Sequence, residues 1–216
     1  MKKRDVEIRE CDDFSFSYSQ KFYLPFKRIF DLFFSFILIL VLSPLFVILF
    51  FVVLIDTHGF PIFRQLRIGK NNKKFLILKF RTMHVDTPRD VPTHLLENPD
   101  QYLSRFGKFI RKTSIDELPQ LFNIFIGHMS FIGPRPALWS QEDLISGRTN
   151  NQVDLIRPGL SGYAQTHGRD ELSIDKKVEL DTYYLHHFNI WFDIKLIFES
   201  VIFSITGKDV IEGKQS

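Results

Sequence analysis

A long uncharged run limits what this chain can fold into. No residue between Leu32 and Ile55 carries a charge, and about 20 apolar residues are enough for a helix to cross the hydrocarbon core of a bilayer. The chain also contains 24 phenylalanines, many of them in or near this run. These features indicate a membrane partner more than an unusually large soluble core.

The middle of the run contains Ser43-Pro44. Proline removes the backbone hydrogen bond to the carbonyl of Leu40 and clashes with it, which predicts a sharp bend. The Ser43 hydroxyl is able to bond a carbonyl freed in this way, which makes the break tolerable in lipid.

Cations flank both ends of the run: Lys27 and Arg28 before it, and Arg64, Arg67 and Lys70 after it. The positive-inside rule favours placing such cations on one side of the membrane. A helix that enters, turns at Ser43-Pro44 and returns to the same face satisfies the rule. A straight, kinked span is the alternative.

The rest of the chain divides around this segment. We expect a leader at 1–25, a helix-break-helix at 26–58, a main domain at 59–208 and a polar tail at 209–216. Acidic residues interrupt the leader, so it does not read as a signal peptide. Two basic extended segments, at 61–69 and 74–83, are joined by a polar turn and predict a β-hairpin. Residues 84–100 are predicted to be a loop, and 102–111 show helical spacing.

Two further helices are predicted in the second half. Ser173 is a suitable cap for a helix that runs to about Leu185. From Asn189 to Thr206 a narrow polar strip, which includes Asp193, lies opposite a broad apolar face. Such a helix completes a core or lies in the membrane interface. The fold class expected is α+β, mostly α, with a re-entrant membrane helix, amphipathic interfacial helices and a small β-hairpin.

Two adjacent carboxylates, Asp116 and Glu117, stand in a cationic neighbourhood that includes Arg111. Ser114-x-x-Glu117 has the form of a capping box, which would start a helix ending at Gly127. Alternatively the helix starts near Pro119, which suits a first helical position. In either case the carboxylates lie at or just before a helix N-terminus, which is able to receive a phosphate. The simpler interpretation is that both residues only cap the helix.

Two loops are candidates for ligand binding. In Gly133-Pro-Arg-Pro136 the prolines restrict the backbone around Arg135, whose guanidinium is able to bind phosphate in a fork. The simpler interpretation is a proline-rich turn with an exposed arginine. The second loop, 157–169, is rich in glycine and polar residues.

Composition excludes some classes of protein. With Cys11 as its one cysteine the chain has no intrachain disulfide, and its sequence offers no Cys/His metal cluster. The formal charge of +3 is too small to indicate nucleic acid as a partner. The cofactor and partners must therefore be sought through the motifs.

These pieces together resemble a known family, the bacterial sugar transferases called monotopic polyprenyl-phosphate phosphoglycosyl transferases. The resemblance covers about Phe26 to Lys208 and rests on motifs in a fixed order. They are Lys27-Arg28-x-x-Asp31, Ser43-Pro44, Lys79-Phe-Arg-Thr-Met83, Arg111 with Asp116-Glu117-Leu-Pro-Gln120, Gly133-Pro-Arg-Pro136, Arg157-Pro-Gly159, Gly168-Arg169 and Asp181-x-Tyr-Tyr184. The family also has long members with extra domains, and the chain resembles its minimal form.

The resemblance implies an enzyme of the bacterial cytoplasmic membrane, with its catalytic part on the cytosolic face. Such enzymes transfer a sugar-1-phosphate from a UDP-sugar to polyprenyl (undecaprenyl) phosphate and release UMP, the first membrane step of glycan assembly. Asp116 and Glu117 match the family's Asp-Glu dyad, in which the Asp is the nucleophile and Mg²⁺ is required; Glu117 is expected to ligate the Mg²⁺ or to act as a base. The residues expected to bind substrate are Lys79, Arg111, Arg135, Arg169 and, by a less secure match, Asp193.

The implied chemistry suits these residue types. Carboxylate attack on phosphorus divides one transfer into two through an acyl phosphate, so the soluble donor reacts before the lipid acceptor enters. The alternatives are a membrane-anchored scaffold without catalysis and a direct glycosyltransferase, which would release UDP. Membrane lipids are expected partners, and a homo-oligomer is possible. The sequence names neither the sugar nor the glycan.

Overall fold

The structure is a computed structural model that describes residues 15–83, 103–168 and 172–206. Its helices are α1 (Tyr18–Val41), α2 (Ser43–Thr57), α3 (Arg105–Lys112), α4 (Gln120–Ile126), α5 (Glu142–Asn150), α6 (Tyr163–Thr166), α7 (Ile174–His187) and α8 (Ile190–Thr206). Its strands are β1 (Ile62–Ile68), β2 (Lys74–Phe80), β3 (Ser130–Ile132) and β4 (Gly159–Ser161). The described part is mostly helical, with short strands, as the sequence predicts.

Helices α1 and α2 contain the uncharged run. They bend by 64° at their junction, and the Ser43 hydroxyl donates to the Leu40 carbonyl at 2.8 Å. Both the bend and its hydrogen bond were predicted from Ser43-Pro44. Among the described residues, no helix is long and apolar enough to cross a bilayer alone; α1 and α2 meet that measure only as a bent pair.

Helix α1 begins within the segment that we expected to be the leader. Ser17 caps it in a capping box with Gln20, and the Gln20 amide donates to the Leu185 carbonyl at 2.9 Å. Because this bond joins the start of α1 to the end of α7, residues from Ser17 onward are part of the folded unit.

The predicted hairpin is present. β1 pairs antiparallel with β2, with Ile62 opposite Phe80 and Ile68 opposite Lys74. Helix α4 packs on β2 and α1, and its Leu121 and Ile124 join Phe75 and Ile77 in a buried cluster. The hairpin is therefore anchored on α4, which follows the two carboxylates in the chain.

A second small sheet was not predicted. β3 and β4 pair in parallel, with Ser130 opposite Gly159 and Ile132 opposite Ser161. The loops after and before these strands touch so closely that a Cβ on Gly133 would lie 2.4 Å from the Arg157 carbonyl oxygen. Gly133 thus permits a close approach of the loop that leads into β4.

Helices α1 and α8 each bury polar residues and leave several large apolar residues exposed. On α8 Asp193 is 4% exposed, whereas Trp191 is 77% exposed. On α1 Asp31 and Ser35 are buried, whereas Phe22 and Ile29 are largely exposed. A soluble protein normally buries its large apolar side chains and leaves few contiguous ones exposed, so these surfaces are typical of helices that contact lipid.

Candidate active site

Asp116 and Glu117 lie in a single 3₁₀ turn, Ile115–Glu117, between α3 and α4. The predicted capping box is wrong: Ser114 adopts a left-handed conformation (φ 57°) and its side chain makes no capping bond. A capping serine needs extended backbone for its hydroxyl to reach the following amides. Pro119 is the N-cap of α4, so the carboxylates lie just before that helix, as the alternative prediction had them.

Lys79 and Arg135 converge on Glu117. The Lys79 ammonium lies 2.6 Å from Glu117 Oε1, and an Arg135 guanidinium nitrogen lies 3.5 Å from the same oxygen. Lys79 comes from the end of β2 and Arg135 from the loop after β3. Residues far apart in sequence thus form one cluster, as the family resemblance implies.

Asn123 fixes β2, and with it Lys79, against α4. Its side-chain oxygen accepts from the Leu78 amide at 2.9 Å, and its side-chain nitrogen donates to the Leu76 carbonyl at 2.8 Å. The residue is buried. Sequence analysis missed it, although a lone amide within the apolar stretch of α4 was a usable signal.

Asp116 is buried, with 7% of its surface exposed. Burial, reinforced by the negative charge of Glu117, raises the pKa of the Asp116 carboxyl to about 6, against the lowering effect of Lys79, Arg111 and Arg135. No hydrogen bond from the described residues reaches this carboxylate. It is therefore a poorly solvated anion with cations close by, which favours reactivity at neutral pH.

The backbone of Arg135 is held by a second ion pair. The Arg148 guanidinium on α5 binds Asp181 of α7, with nitrogen–oxygen distances of 2.9 and 2.6 Å. Its remaining terminal nitrogen donates to the Arg135 carbonyl at 2.7 Å. Sequence analysis missed Arg148, because nothing local to α5 indicates which loop its side chain reaches.

The structure does not bring every predicted residue to this cluster. Asp193 accepts hydrogen bonds from Tyr23 at 2.8 Å and Tyr184 at 2.7 Å and forms an ion pair with Lys27. Those partners belong to α1 and α7, so a substrate-binding role for Asp193 stays a prediction that no contact with Asp116 or Glu117 supports. Arg169 lies outside the described residues.

The donors present are compatible with Mg²⁺ but do not form a complete cage. Within the described part of the chain, no group of three or more His, Cys, Asp or Glu side chains is placed to hold a metal. Magnesium is commonly held by one or two carboxylates, substrate phosphates and water. Asp116 and Glu117 fit that pattern, and in this structure the Glu117 carboxylate pairs with Lys79.

In sequence, the chain is similar to known bacterial sugar transferases. The profile of the family described as bacterial sugar transferase matches residues 22–207. The chain is 35% identical over 189 residues to a UDP-galactose-lipid carrier transferase of Erwinia amylovora, a match that covers 81% of this chain and 39% of the relative. It is 35% identical over 191 residues to UDP-glucose:undecaprenyl-phosphate glucose-1-phosphate transferase of Escherichia coli K12, covering 84% and 40%.

A shorter relative matches along most of its length. The chain is 38% identical over 174 residues to the uncharacterized sugar transferase EpsL of Bacillus subtilis 168, covering 79% of this chain and 83% of the relative. The chain thus spans about two fifths of the length of the first two relatives. With the family profile matching from α1 to the end of α8, this protein belongs to the bacterial sugar transferase family.

Proposed function

We propose that this protein transfers a sugar-1-phosphate from a UDP-sugar to undecaprenyl phosphate. The observation that carries the proposal is the buried Asp116 carboxylate, which accepts no hydrogen bond from the described residues and lies beside Glu117 among Lys79, Arg111 and Arg135. The names of the relatives, which are lipid-carrier and undecaprenyl-phosphate transferases, support the same reaction class.

In the proposed first step an Asp116 carboxylate oxygen attacks the phosphorus next to the sugar. A new oxygen–phosphorus bond forms, the bond to the bridging oxygen breaks, and UMP leaves with the electron pair. In the second step an oxygen of undecaprenyl phosphate attacks the same phosphorus and releases the Asp116 carboxylate. Two displacements suit one soluble and one lipid substrate, since the two need not be bound together.

The cations supply the electrostatic part of catalysis. Lys79 and Arg135 face the Glu117 carboxylate in the free protein, and we expect both to contact the diphosphate when the donor binds. Glu117 would hold Mg²⁺, and the ion would supply positive charge that stabilises the transferring group and the leaving UMP. Arg148 keeps the Arg135 backbone in position through its bond to the Arg135 carbonyl.

The test of the nucleophile is a mass measurement without lipid acceptor. Intact mass should rise by one sugar-phosphate when the correct UDP-sugar and Mg²⁺ are added, and the adduct should map to the peptide with Asp116. Undecaprenyl phosphate should then discharge it. Asp116→Asn should abolish the adduct, whereas Glu117→Gln should slow its formation and leave the attachment point unchanged. An adduct on Glu117 would reject the assignment.

The released nucleotide separates the alternatives. A panel of UDP-sugars incubated with purified protein and undecaprenyl phosphate should yield UMP with one or a few sugars. Release of UDP would indicate direct glycosyl transfer. If no nucleotide is released with any sugar, while an active relative turns over in the same assay, the scaffold interpretation is favoured.

We also propose that α1 and α2 enter the cytoplasmic membrane from the cytosolic face and return to it. The 64° bend and the Ser43–Leu40 hydrogen bond support this path, because the freed carbonyl at the break has a donor within the chain. Exposed apolar side chains on both helices support lipid contact; they include Phe33, Phe36, Leu40, Val47, Ile48 and Phe51.

Cysteine labelling tests this topology. In a variant without Cys11, single cysteines near Lys3 and near Lys214 should both resist an impermeant thiol reagent in intact cells and react after permeabilisation. Labelling of only one in intact cells would mean that the segment spans the membrane. Pro44→Ala should favour such a span, since proline costs roughly 3 kcal/mol in a helix interior.

A further inference from the structure

A second group of cations lines a cleft beside α1. Lys27, Arg28, Lys70 and Arg157 contribute to its wall, and Asp31 is the carboxylate among the residues that line it. None of these cations faces Asp116 or Glu117 in the contacts described above. The cleft is therefore a separate concentration of positive charge.

The cleft and the candidate active site lie at opposite ends of two elements. Helix α4 starts just after Glu117 and ends at Gly127, whose carbonyl accepts from Arg157 at 2.9 Å. Its 7 residues rise roughly 10 Å. Likewise Lys79 lies near the end of β2, whereas Lys70 lies in the hairpin turn at the other end, roughly 20 Å along the strand. A group bound at Lys70 is too far from Asp116 to take part in phosphoryl transfer.

The positive charge of the cleft is only partly balanced. Arg28 donates to the carbonyls of Ile124 and Phe125 at 2.7 and 2.8 Å. Together with the Arg157 bond, this satisfies the C-terminal end of α4, which carries roughly half a negative elementary charge. Lys27 pairs with Asp193. Two carboxylates, Asp31 and Asp193, and a helix end thus oppose four cations.

Lys70 is the remaining cation of the cleft, after Lys27, Arg28 and Arg157 have been assigned their partners. Among the described residues its ammonium has no hydrogen-bond or ion-pair partner, and burial and the nearby Arg157 lower its pKa. The turn that carries it is held in place: the Gly69 amide donates to the Lys73 carbonyl at 2.8 Å, and Asn72 donates to the Thr149 hydroxyl at 3.0 Å. The fold thus keeps two like charges close together, an arrangement that an anion would relieve.

We propose that this cleft binds the phosphate group of an anionic phospholipid through Lys70 and Arg157. A phosphate group has enough acceptor oxygens to bind a guanidinium and an ammonium at the same time. Leu24 and Phe188 also line the cleft, and Phe26 and Ile29 next to Lys27 and Arg28 are exposed, so apolar surface adjoins the charge as it does in a lipid. This choice of source rests on the membrane placement proposed above; a soluble phosphate would use the same contacts.

Native mass spectrometry of the full-length protein, released from phosphatidylcholine nanodiscs doped with phosphatidylglycerol, tests the proposal. Lys70→Gln should retain phosphatidylglycerol about tenfold less than the unmodified protein, because one charge-assisted contact is lost. The matched control is Lys73→Gln, an exposed lysine of the same turn, which should retain it normally. Lys70→Gln should melt no lower than the unmodified protein, since the change removes repulsion by Arg157.

A second arm replaces the lipid with inorganic phosphate in pure phosphatidylcholine nanodiscs. Thermal stabilisation by phosphate that Lys70→Gln loses, without Lys70-dependent lipid retention, would support the cleft and assign it to a soluble phosphate. Equal lipid retention and equal phosphate stabilisation in Lys70→Gln and Lys73→Gln would overturn the proposal. UMP release is measured alongside: its absence from every sample, with Lys70-dependent binding intact, would count against the proposed function and not against the cleft.

Discussion

Two buried aspartates, Asp116 and Asp193, are surrounded in opposite ways. Asp193, at the junction of α1, α7 and α8, accepts from two tyrosine hydroxyls and pairs with Lys27. Asp116, in the turn before α4, has cations nearby but no hydrogen bond from the described residues. Burial alone does not distinguish the two residues, because Asp193 is 4% exposed and Asp116 is 7% exposed. Their donors do.

The difference indicates what each region is for. A buried carboxylate with its donors in place holds helices together, and breaking such a network is costly. A buried carboxylate without them has a raised pKa and lone pairs available for bonding to an incoming group. We therefore expect changes at Asp193 to act on stability and changes at Asp116 to act on chemistry.

The largest expected effect is on turnover. Asp116→Asn should lower UMP release by at least about 10³-fold, since an amide is a far weaker nucleophile than a carboxylate. Asp193→Asn should retain UMP release, per folded molecule, within about tenfold. Rates are compared after gel filtration and corrected for the folded fraction. A near-normal rate for Asp116→Asn would contradict the catalytic role assigned to Asp116.

The next effect is on stability. Asp193→Asn leaves Lys27 without its carboxylate, and losing one partner of such a buried pair costs about 4 kcal/mol, which lowers the melting temperature by about 10 °C. Asp175→Asn, at an exposed position in the first turn of α7, is the control and should melt within about 2 °C of the unmodified protein. Equal melting of the two variants would mean that the Asp193 network does not stabilise the fold.

The pH dependence of stability sharpens the comparison. The folded pKa of Asp116, about 6, lies above its ordinary value of 3.8, so the folded protein binds this proton more tightly than the unfolded chain does. The penalty for ionising Asp116 thus grows as pH rises from about 4 to 6 and is complete above that, at most about 3 kcal/mol.

Asn carries no such penalty. In EDTA, the melting temperature of Asp116→Asn relative to the unmodified protein should therefore rise between pH 4 and pH 6 and then level off. Thermal melts at half-unit steps measure the difference, and Asp175→Asn again serves as control. A difference that falls with rising pH would contradict the poorly solvated state assigned to Asp116.

The smallest effects concern the cations. Arg135→Lys should lower UMP release about 30-fold with unchanged melting, because lysine keeps the charge but not the fork. Arg148→Lys should lower it about tenfold, through the lost bond to the Arg135 carbonyl, and should act mainly on kcat. Arg64→Lys, at an exposed position on β1, is the matched control. If Arg148→Lys releases UMP as fast as Arg64→Lys, the hydrogen bond from Arg148 to the Arg135 carbonyl is not needed to position Arg135.

Sequence was informative where the cause is local. The bend at Ser43-Pro44, the turn between β1 and β2, the Ser173 cap and the glycine at the end of α4 each follow from one or two residues. The cluster of Lys79, Glu117 and Arg135 was expected from the family resemblance, since local rules do not bring those positions together.

Other features could not be predicted, because their cause is tertiary. Ser114 has the composition of a cap, but its left-handed backbone is set by how α3 leads into the turn. Arg148 and Asn123 act on loops and strands tens of residues away. The parallel β3–β4 pair depends on two glycine-lined loops meeting, and neither loop alone indicates a partner.

The side-chain hydrogen bonds of Asn123 affect how copies of this protein can associate. A two-stranded hairpin is marginal alone, and its outer edges invite a further strand. Here the Asn123 side chain occupies the Leu76 carbonyl and Leu78 amide of β2. On β1, the Ile68 amide donates to the Ala137 carbonyl at 2.9 Å. With both margins engaged at these positions, adding a further strand to this hairpin is disfavoured as a route to oligomers or aggregates.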